Sequence, residues 1–186
     1  MESQEKQLRK IIREKIQRLN EGIEDSGIFK AIFLAGGPGS GKTYVVKQLF
    51  GIPEKLNIST FGLKLVGSDT ELESLLKKYF DTVDMDNMPV DLFKQLTDPS
   101  SKDYSGLRTY AKELTAQRLK NYTIGRLGVI IDGTGHKIDA IKKQQKELIS
   151  LGYDTYMIFV NTSLETSLER NNSRQRKLPN DIVTDS

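Results

Sequence analysis

Apolar positions along the chain fall into two alternating rhythms. Leu8, Ile12, Ile16, Leu19 and Ile23 recur at spacings of three and four with charges between them, which predicts an amphipathic helix over residues 4–24, broken by Gly27. Such a helix either covers its own domain or pairs with a partner or a second copy. Short unbroken apolar runs follow, the signature of strands buried on both faces. They lie at residues 28–34 (IFKAIFL), 63–67, 128–131 and in YDTYMIFVN from Tyr153 to Asn161.

Between the runs the spacing returns to that of helices. One begins after Gly41 and stops at Gly51, with Pro53 behind it. A second, ELESLLKKYF, carries Ser68 and Glu71 as a capping box. A third spans 105–121, with Leu107, Ala111, Leu114 and Leu119 on roughly one side, and a fourth spans 136–151. The last, SLETSLERNNSRQRK, reads as capped by Thr162 and Glu165 and is ended by Pro179. Residues 81–104, rich in Asp, Pro and Ser, read as a loop with a short helix near 90–96. Strands alternating with helices predict an α/β three-layer sandwich around a parallel sheet of about four strands, with the N-terminal helix (1–27) added to a domain over 28–186.

Composition narrows this picture only a little. The chain has 186 residues, no cysteine, a net charge of +3 and a sequence pI near 8.9. No disulfide framework or thiolate metal site is available, which fits a reducing compartment, so a cytoplasmic location is expected. The start, MESQEKQLRK, does not read as a secretory signal, and no apolar run approaches a membrane span. The basic excess permits an anionic substrate without the concentrated stripe expected of a nucleic-acid binder.

The chemistry is concentrated after the first strand. Gly36-Gly37-Pro38-Gly39-Ser40-Gly41-Lys42-Thr43 fits G-x-x-x-x-G-K-[ST], the Walker A pattern, between a predicted strand and a predicted helix. A backbone bare of side chains can curl so that successive N–H groups point at phosphate oxygens, and the following helix adds its positive N-terminus. Lys42 is then expected at the β- and γ-phosphates, and Thr43 at Mg²⁺. Tyr44, next in the first turn, is grouped with the nucleotide-binding residues. The expected cofactors are ATP or GTP and Mg²⁺.

Asp132 closes the third apolar strand, where α/β sheets bind ligands, and is either a second contact for Mg²⁺ or a cap of the next helix. Asp69, after the second strand, is either a base for an acceptor hydroxyl or an acidic residue suited to a helix start. Arg170, Arg174 and Arg176 are either a lid that brings positive charge to a migrating phosphoryl group or a solvated basic helix end. Arg170 and Arg174 share a face if the helix is continuous.

A GTPase switch is disfavoured because Val160-Asn161-Thr162-Ser163 stands where a guanine-reading N-K-x-D belongs. A large motor needs more length. His136, the single histidine, reads as a loop or helix-start residue. Arg108, Tyr110, Lys112, Thr115 and Arg118 either meet a substrate or form the polar face of their helix.

The order AGGPGSGKT, VGSD, IIDGTG and VNTSLETSLERNNSRQRKLP resembles the P-loop kinases grouped with zeta toxins and 5′-hydroxyl polynucleotide kinases, and is most similar to zeta-toxin-like proteins of phages. The resemblance spans roughly residues 28–184. It implies a P-loop kinase-like fold and transfer of the γ-phosphate of ATP or GTP to a hydroxyl. It implies Asp69 as general base, Asp132 and Thr134 as the D-x-T stretch after the third strand, and Arg170, Asn171 and Arg174 as phosphate contacts in a lid over 170–179. Residues 81–121 take the place of an acceptor cover, though no motif there names an acceptor. Relatives use a UDP-linked amino sugar or a nucleic-acid 5′ end. The rival reading is a nucleotide-binding or ATP-hydrolysing regulatory module that signals through helix 4–24.

Overall fold

The computed structural model describes residues 25, 27–54, 56–80, 89, 91, 105–173, 178 and 180–184. The predicted helix 4–24, most of the loop 81–104 with its short helix, and Arg174 and Arg176 lie outside these residues.

The described chain runs β1 (Lys30–Ala35), α1 (Lys42–Phe50), β2 (Lys64–Val66), α2 (Ser68–Phe80), α3 (Ser105–Ile124), β3 (Val129–Asp132), α4 (Ile138–Ser150), β4 (Asp154–Phe159), α5 (Leu164–Ser173) and α6 (Asn180–Thr184). The four strands form one parallel sheet in the order β2-β3-β1-β4. This is the α/β sandwich around a parallel four-stranded sheet that the alternation of runs predicts. Among the described residues no helix is long and apolar enough to cross a membrane.

Strand order dictates where the helices go. The connection from β1 to β2 steps over β3 in one direction, while those from β2 to β3 and from β3 to β4 step the other way. Right-handed crossovers therefore put α1 on one face of the sheet and α3 and α4 on the opposite face. The core follows. Ile32, Leu34, Leu65 and Ile130 pack against Val46 of α1. Ala31, Phe33 and Val129 pack against Leu148 of α4, with Leu119 and Tyr122 of α3 alongside. Helix α2 buries Leu72, Leu75 and Leu76 against Leu107 and Ala111 of α3. Arg118 of α3 pairs with Glu71 of α2, which ties this member of the predicted polar face to the neighbouring helix.

Two local expectations change, and the extent of the last long helix past Ser173 lies outside the described residues. The last long helix is capped by Ser163, not Thr162: Ser163 Oγ accepts the Thr166 N–H at 3.2 Å, so the box sits one residue later than the Thr162–Glu165 spacing suggested. The described part of that helix stops at Ser173, and a further short helix, α6, follows Pro179. Strand β4 is not covered on both faces. It is an edge strand with Tyr156, Met157 and Phe159 exposed, because among the described residues nothing pairs with its outer side.

Candidate functional site

In this sheet the chain reverses its direction of progress between β1 and β3, the adjacent central strands. The crevice outside their carboxyl ends is where open α/β sheets bind ligands. Both glycine-bearing loops emerge there, the one after β1 carrying Gly36–Gly41 and the one after β3 carrying Gly133-Thr134-Gly135. They are joined by a hydrogen bond, Gly36 N–H donating to the Thr134 carbonyl at 3.1 Å. Pairing of Leu34 with Asp132 sets Asp132 level with the last turn of chain before the loop.

The loop's sequence is required by its surroundings. Gly39 has φ +76°, and a Cβ there would lie 2.4 Å from the carbonyl oxygen of Ser167 in α5. Gly36 has φ +146°, and a Cβ would lie 2.3 Å from the carbonyl oxygen of Val160. The loop is thus pressed backbone-to-backbone against the β4–α5 corner, which no side chain would allow. Gly37 is different: a Cβ there would meet nothing within 4 Å, so its face is open.

Lys42 folds back over this loop. Its Nζ donates to the carbonyls of Gly36 and Gly37 at 2.6 and 2.9 Å, which holds the ammonium at the mouth of the curl. Ser40 Oγ is buried without a hydrogen-bond partner among the described residues. Thr43 and Tyr44, the next residues of α1, are exposed. An open glycine face, a pinned ammonium, a buried hydroxyl lacking a partner and the N-terminus of α1 together fit a polyphosphate.

Helix α5 brings a cation to the same loop. Ser167 and Arg170 are three apart and share a face, so the packing of Ser167 on Gly39 carries Arg170 to Gly41. Arg170 Nη1 donates to the Ser40 carbonyl at 2.9 Å. Asn171, by contrast, is fully buried and turned to structural use. Its Nδ2 donates to the Leu178 carbonyl at 2.7 Å and its Oδ1 accepts the Leu178 N–H at 3.0 Å. The phosphate contact that the resemblance implies for Asn171 is therefore not what the structure shows; the side chain fastens residue 178 to α5.

The two carboxylates follow adjacent strands, Asp132 at the end of β3 and Asp69 just after β2. The Asp132 side chain lies against Gly67, where an added Cβ would be 3.0 Å from Asp132 Cβ. Asp69 stands two residues on, in the first turn of α2. Among the described residues no group of three or more potential metal ligands gathers. Mg²⁺ does not need one, since it binds through one or two protein oxygens together with phosphates and water. Thr43 and Asp132 are the residues suited to hold it. The close approach of Asp132 to Gly67 had one sequence signal, the glycine placed directly before Ser68. The packing of Ser167 and Asn171 had none.

A cavity of about 860 Å³ flanks the loop on the α4 side, lined in part by Gly36, Pro38, His136, Lys142, Phe159 and Asn161. His136 thus borders a cavity. Lys42, Thr43, Asp69 and Asp132 do not line it, so it adjoins the phosphate cradle and is separate from the carboxylates.

Known structures share this architecture. The Pnkp1/Rnl/Hen1 RNA repair complex contains a chain that superposes with a TM-score of 0.53 at 15% identity, over 85% of this chain and 42% of that one. A candidate kinase from Chloroflexus aurantiacus gives 0.50 at 13% identity, over 78% and 66%. The PezAT toxin–antitoxin system of Streptococcus pneumoniae gives 0.50 at 17% identity, over 88% and 62%. The chain thus spans less than half of the first and under two thirds of the PezAT chain. A search of curated proteins finds no match. The family model described as "AAA domain" matches residues 32–185, from β1 through the phosphate loop to the helix after Pro179, and the chain belongs to that family.

Proposed function

We propose that the protein transfers the γ-phosphate of ATP or GTP to a hydroxyl of an acceptor, as zeta-toxin-like kinases do. The observation that carries this reading is the placement of two cations on one glycine loop. Lys42 is held over Gly36 and Gly37 and Arg170 over Ser40 and Gly41, each within 2.9 Å of a loop carbonyl. Phosphoryl transfer needs little covalent help from the protein and much positive charge fixed where the phosphoryl oxygens pass.

In this reading Lys42 and Arg170 neutralise the migrating group, joined by Arg174. The backbone of residues 36–41 orients the phosphates. Thr43 and Asp132 would hold Mg²⁺, which when bound would supply further charge neutralisation and alignment. Asp69, in the first turn of α2, takes the proton of the acceptor hydroxyl as its oxygen bonds to phosphorus and the bridge to the β-phosphate breaks. Residues 81–121 supply the acceptor cover.

The test is transfer of labelled γ-phosphate with Mg²⁺ to a panel of 5′-hydroxyl oligonucleotides, UDP-sugars and nucleosides. Lys42→Ala and Asp69→Asn proteins run beside the parent. Label on one acceptor, lost in both variants, supports the kinase and names its class. A polynucleotide acceptor would align it with the repair-complex chain, a UDP-sugar with zeta toxins. Label released only as free phosphate, unchanged by Asp69→Asn, would replace the proposal with a nucleotide-hydrolysing regulatory module.

A further inference from the structure

Two groups of elements carry the candidate site, and one side chain joins them. The first group is the phosphate loop with α5. The Ser167 backbone presses on Gly39, and Arg170 donates to the Ser40 carbonyl at 2.9 Å. The second group is α2 with α3. Asp69 stands in the first turn of α2, three residues before Leu72, so both lie on one face of that helix. Leu72 is buried with Leu76 of α2 and with Leu107 and Ala111 of α3. The turn that presents the carboxylate is thereby anchored in this apolar cluster. Glu71 of the same turn pairs with Arg118 of α3. Among the described residues the cluster has one member from outside α2 and α3, and it is Leu178.

We propose, on the transfer reading above, that Leu178 is a positioning residue that couples the nucleotide half of the site to the acceptor half. Its backbone belongs to α5. The Asn171 side chain accepts the Leu178 N–H at 3.0 Å and donates to the Leu178 carbonyl at 2.7 Å. Its side chain belongs to α2 and α3, where it packs against the buried cluster. Two hydrogen bonds fix one end and apolar packing fixes the other. Packed interiors have little slack, so a shift of α5 is felt by α2 and α3. Asn171 follows Arg170 directly and is four residues from Ser167, with which it shares a buried face. The turn of α5 that sets the cation on the loop therefore also holds the clasp. Phosphates that draw on Arg170 bias α2 and α3, and an acceptor that settles on α2 and α3 biases Arg170. The two effects are equal in free energy, because coupling between sites is reciprocal. Asp69 and Arg170 act on one transferring group from separate elements, and Leu178 keeps them in register.

Amide hydrogen exchange of the full chain, with and without saturating ATP and Mg²⁺, tests the coupling, beside calorimetric titration of the nucleotide. In the parent the nucleotide should slow exchange in α1 and α5. It should also slow exchange in α2 and the start of α3, by about fivefold or more. In Leu178→Ala the nucleotide should still bind and still protect α1 and α5, while the protection of α2 and α3 is lost. Leu178→Met, which keeps the apolar bulk, should restore it. Leu178→Val, a smaller truncation, takes the place of Leu178→Ala should that variant fail to fold. Helix α4 is the control, since slowing that is equal there reports stabilisation of the whole domain. Protection of α2 and α3 that survives the truncation, or that only matches α4, would overturn the proposal. Failure of both ATP and GTP to bind the parent would overturn the nucleotide reading and the clasp with it. Coupled protection in a protein that transfers no phosphate would support the clasp and overturn only the transfer reading.

Discussion

Arg170 donates to the carbonyl of Ser40, 130 residues earlier in the chain, and so ties helix α5 to the glycine loop after β1. The bond uses one nitrogen of a five-donor fork, which leaves the planar cation lying along the loop where phosphates would approach. Replacing Arg170 tests whether this contact is part of the chemistry. Arg170→Ala is expected to lower the transfer rate by about 10³-fold or more. The thermal midpoint should move by no more than one lost hydrogen bond implies, about 1 kcal/mol. Arg170→Lys should recover only part of the rate, because a point charge cannot reproduce the fork. Rates from labelled-phosphate transfer and melting curves on the same samples check both. Equal losses of rate and stability would mark Arg170 as a strut only.

Gly37 and Gly39 make opposite predictions from positions two apart in one loop. Gly39→Ala places a methyl group 2.4 Å from the Ser167 carbonyl at φ +76°. Left-handed backbone alone costs a residue with a Cβ about 1–2 kcal/mol, and the clash adds to it. Its thermal midpoint should fall by several degrees. Gly37→Ala points its methyl into open space. Its stability should stay within about 0.5 kcal/mol, while nucleotide affinity falls because the methyl stands where phosphate oxygens would lie. Calorimetric melting and nucleotide titration separate the two.

Burial pushes the phenol of Tyr153 above its usual value of 10.0, and its hydroxyl donates to the Leu127 carbonyl at 2.9 Å. The unfolded chain therefore releases this proton at lower pH than the folded one. Above pH 10 the folded state holds more protons, so stability falls as pH rises, and the contribution is fully present below 10. Tyr153→Phe should be less stable than the parent at pH 7 by about 1 kcal/mol, the net worth of the lost bond. It should lose less stability between pH 9 and 11 (on the order of the shift's free energy). Urea midpoints of the two proteins across that range are the measurement.

The parts of this molecule legible in its sequence are those fixed by local pattern. The run IFKAIFL, the loop GGPGSGKT and the stop at Gly51 each carry their own reason, whether periodicity, absent side chains or a left-handed turn, and β1, the loop and α1 appear where they predict. Contacts made between distant segments were less legible. Nothing near Ser167 announces that its backbone will press on Gly39, and nothing near Gly67 beyond its lack of a side chain announces Asp132. The cap of α5 shows the limit even of local reading. Thr162–Glu165 and Ser163–Thr166 both place a hydroxyl three residues before a polar side chain, and only the packed corner selects Ser163.

Asn171 gives the last prediction, because motif and structure assign it different work. By its place in R-N-x-x-R it reads as a phosphate contact; in the fold it is fully buried, and both ends of its amide are engaged by the backbone of Leu178. Asn171→Ala would leave a donor and an acceptor of that backbone without partners, at about 1–3 kcal/mol for each group left desolvated. A loss of about 2 kcal/mol corresponds to a fall in melting temperature of roughly 4–8 °C for a domain of this size. Asn171→Asp is the sharper probe. An ionised carboxylate still accepts the Leu178 N–H but faces the Leu178 carbonyl with no proton to give, and it buries a charge. Protonation restores the donor, so Asn171→Asp should be destabilised at pH 7 and recover towards the parent as pH falls through the carboxyl range. A direct phosphate role predicts the reverse emphasis: unchanged melting in both variants, with nucleotide affinity lost. Melting temperatures at pH 5 and 7, beside nucleotide titrations, distinguish the anchor from the ligand contact.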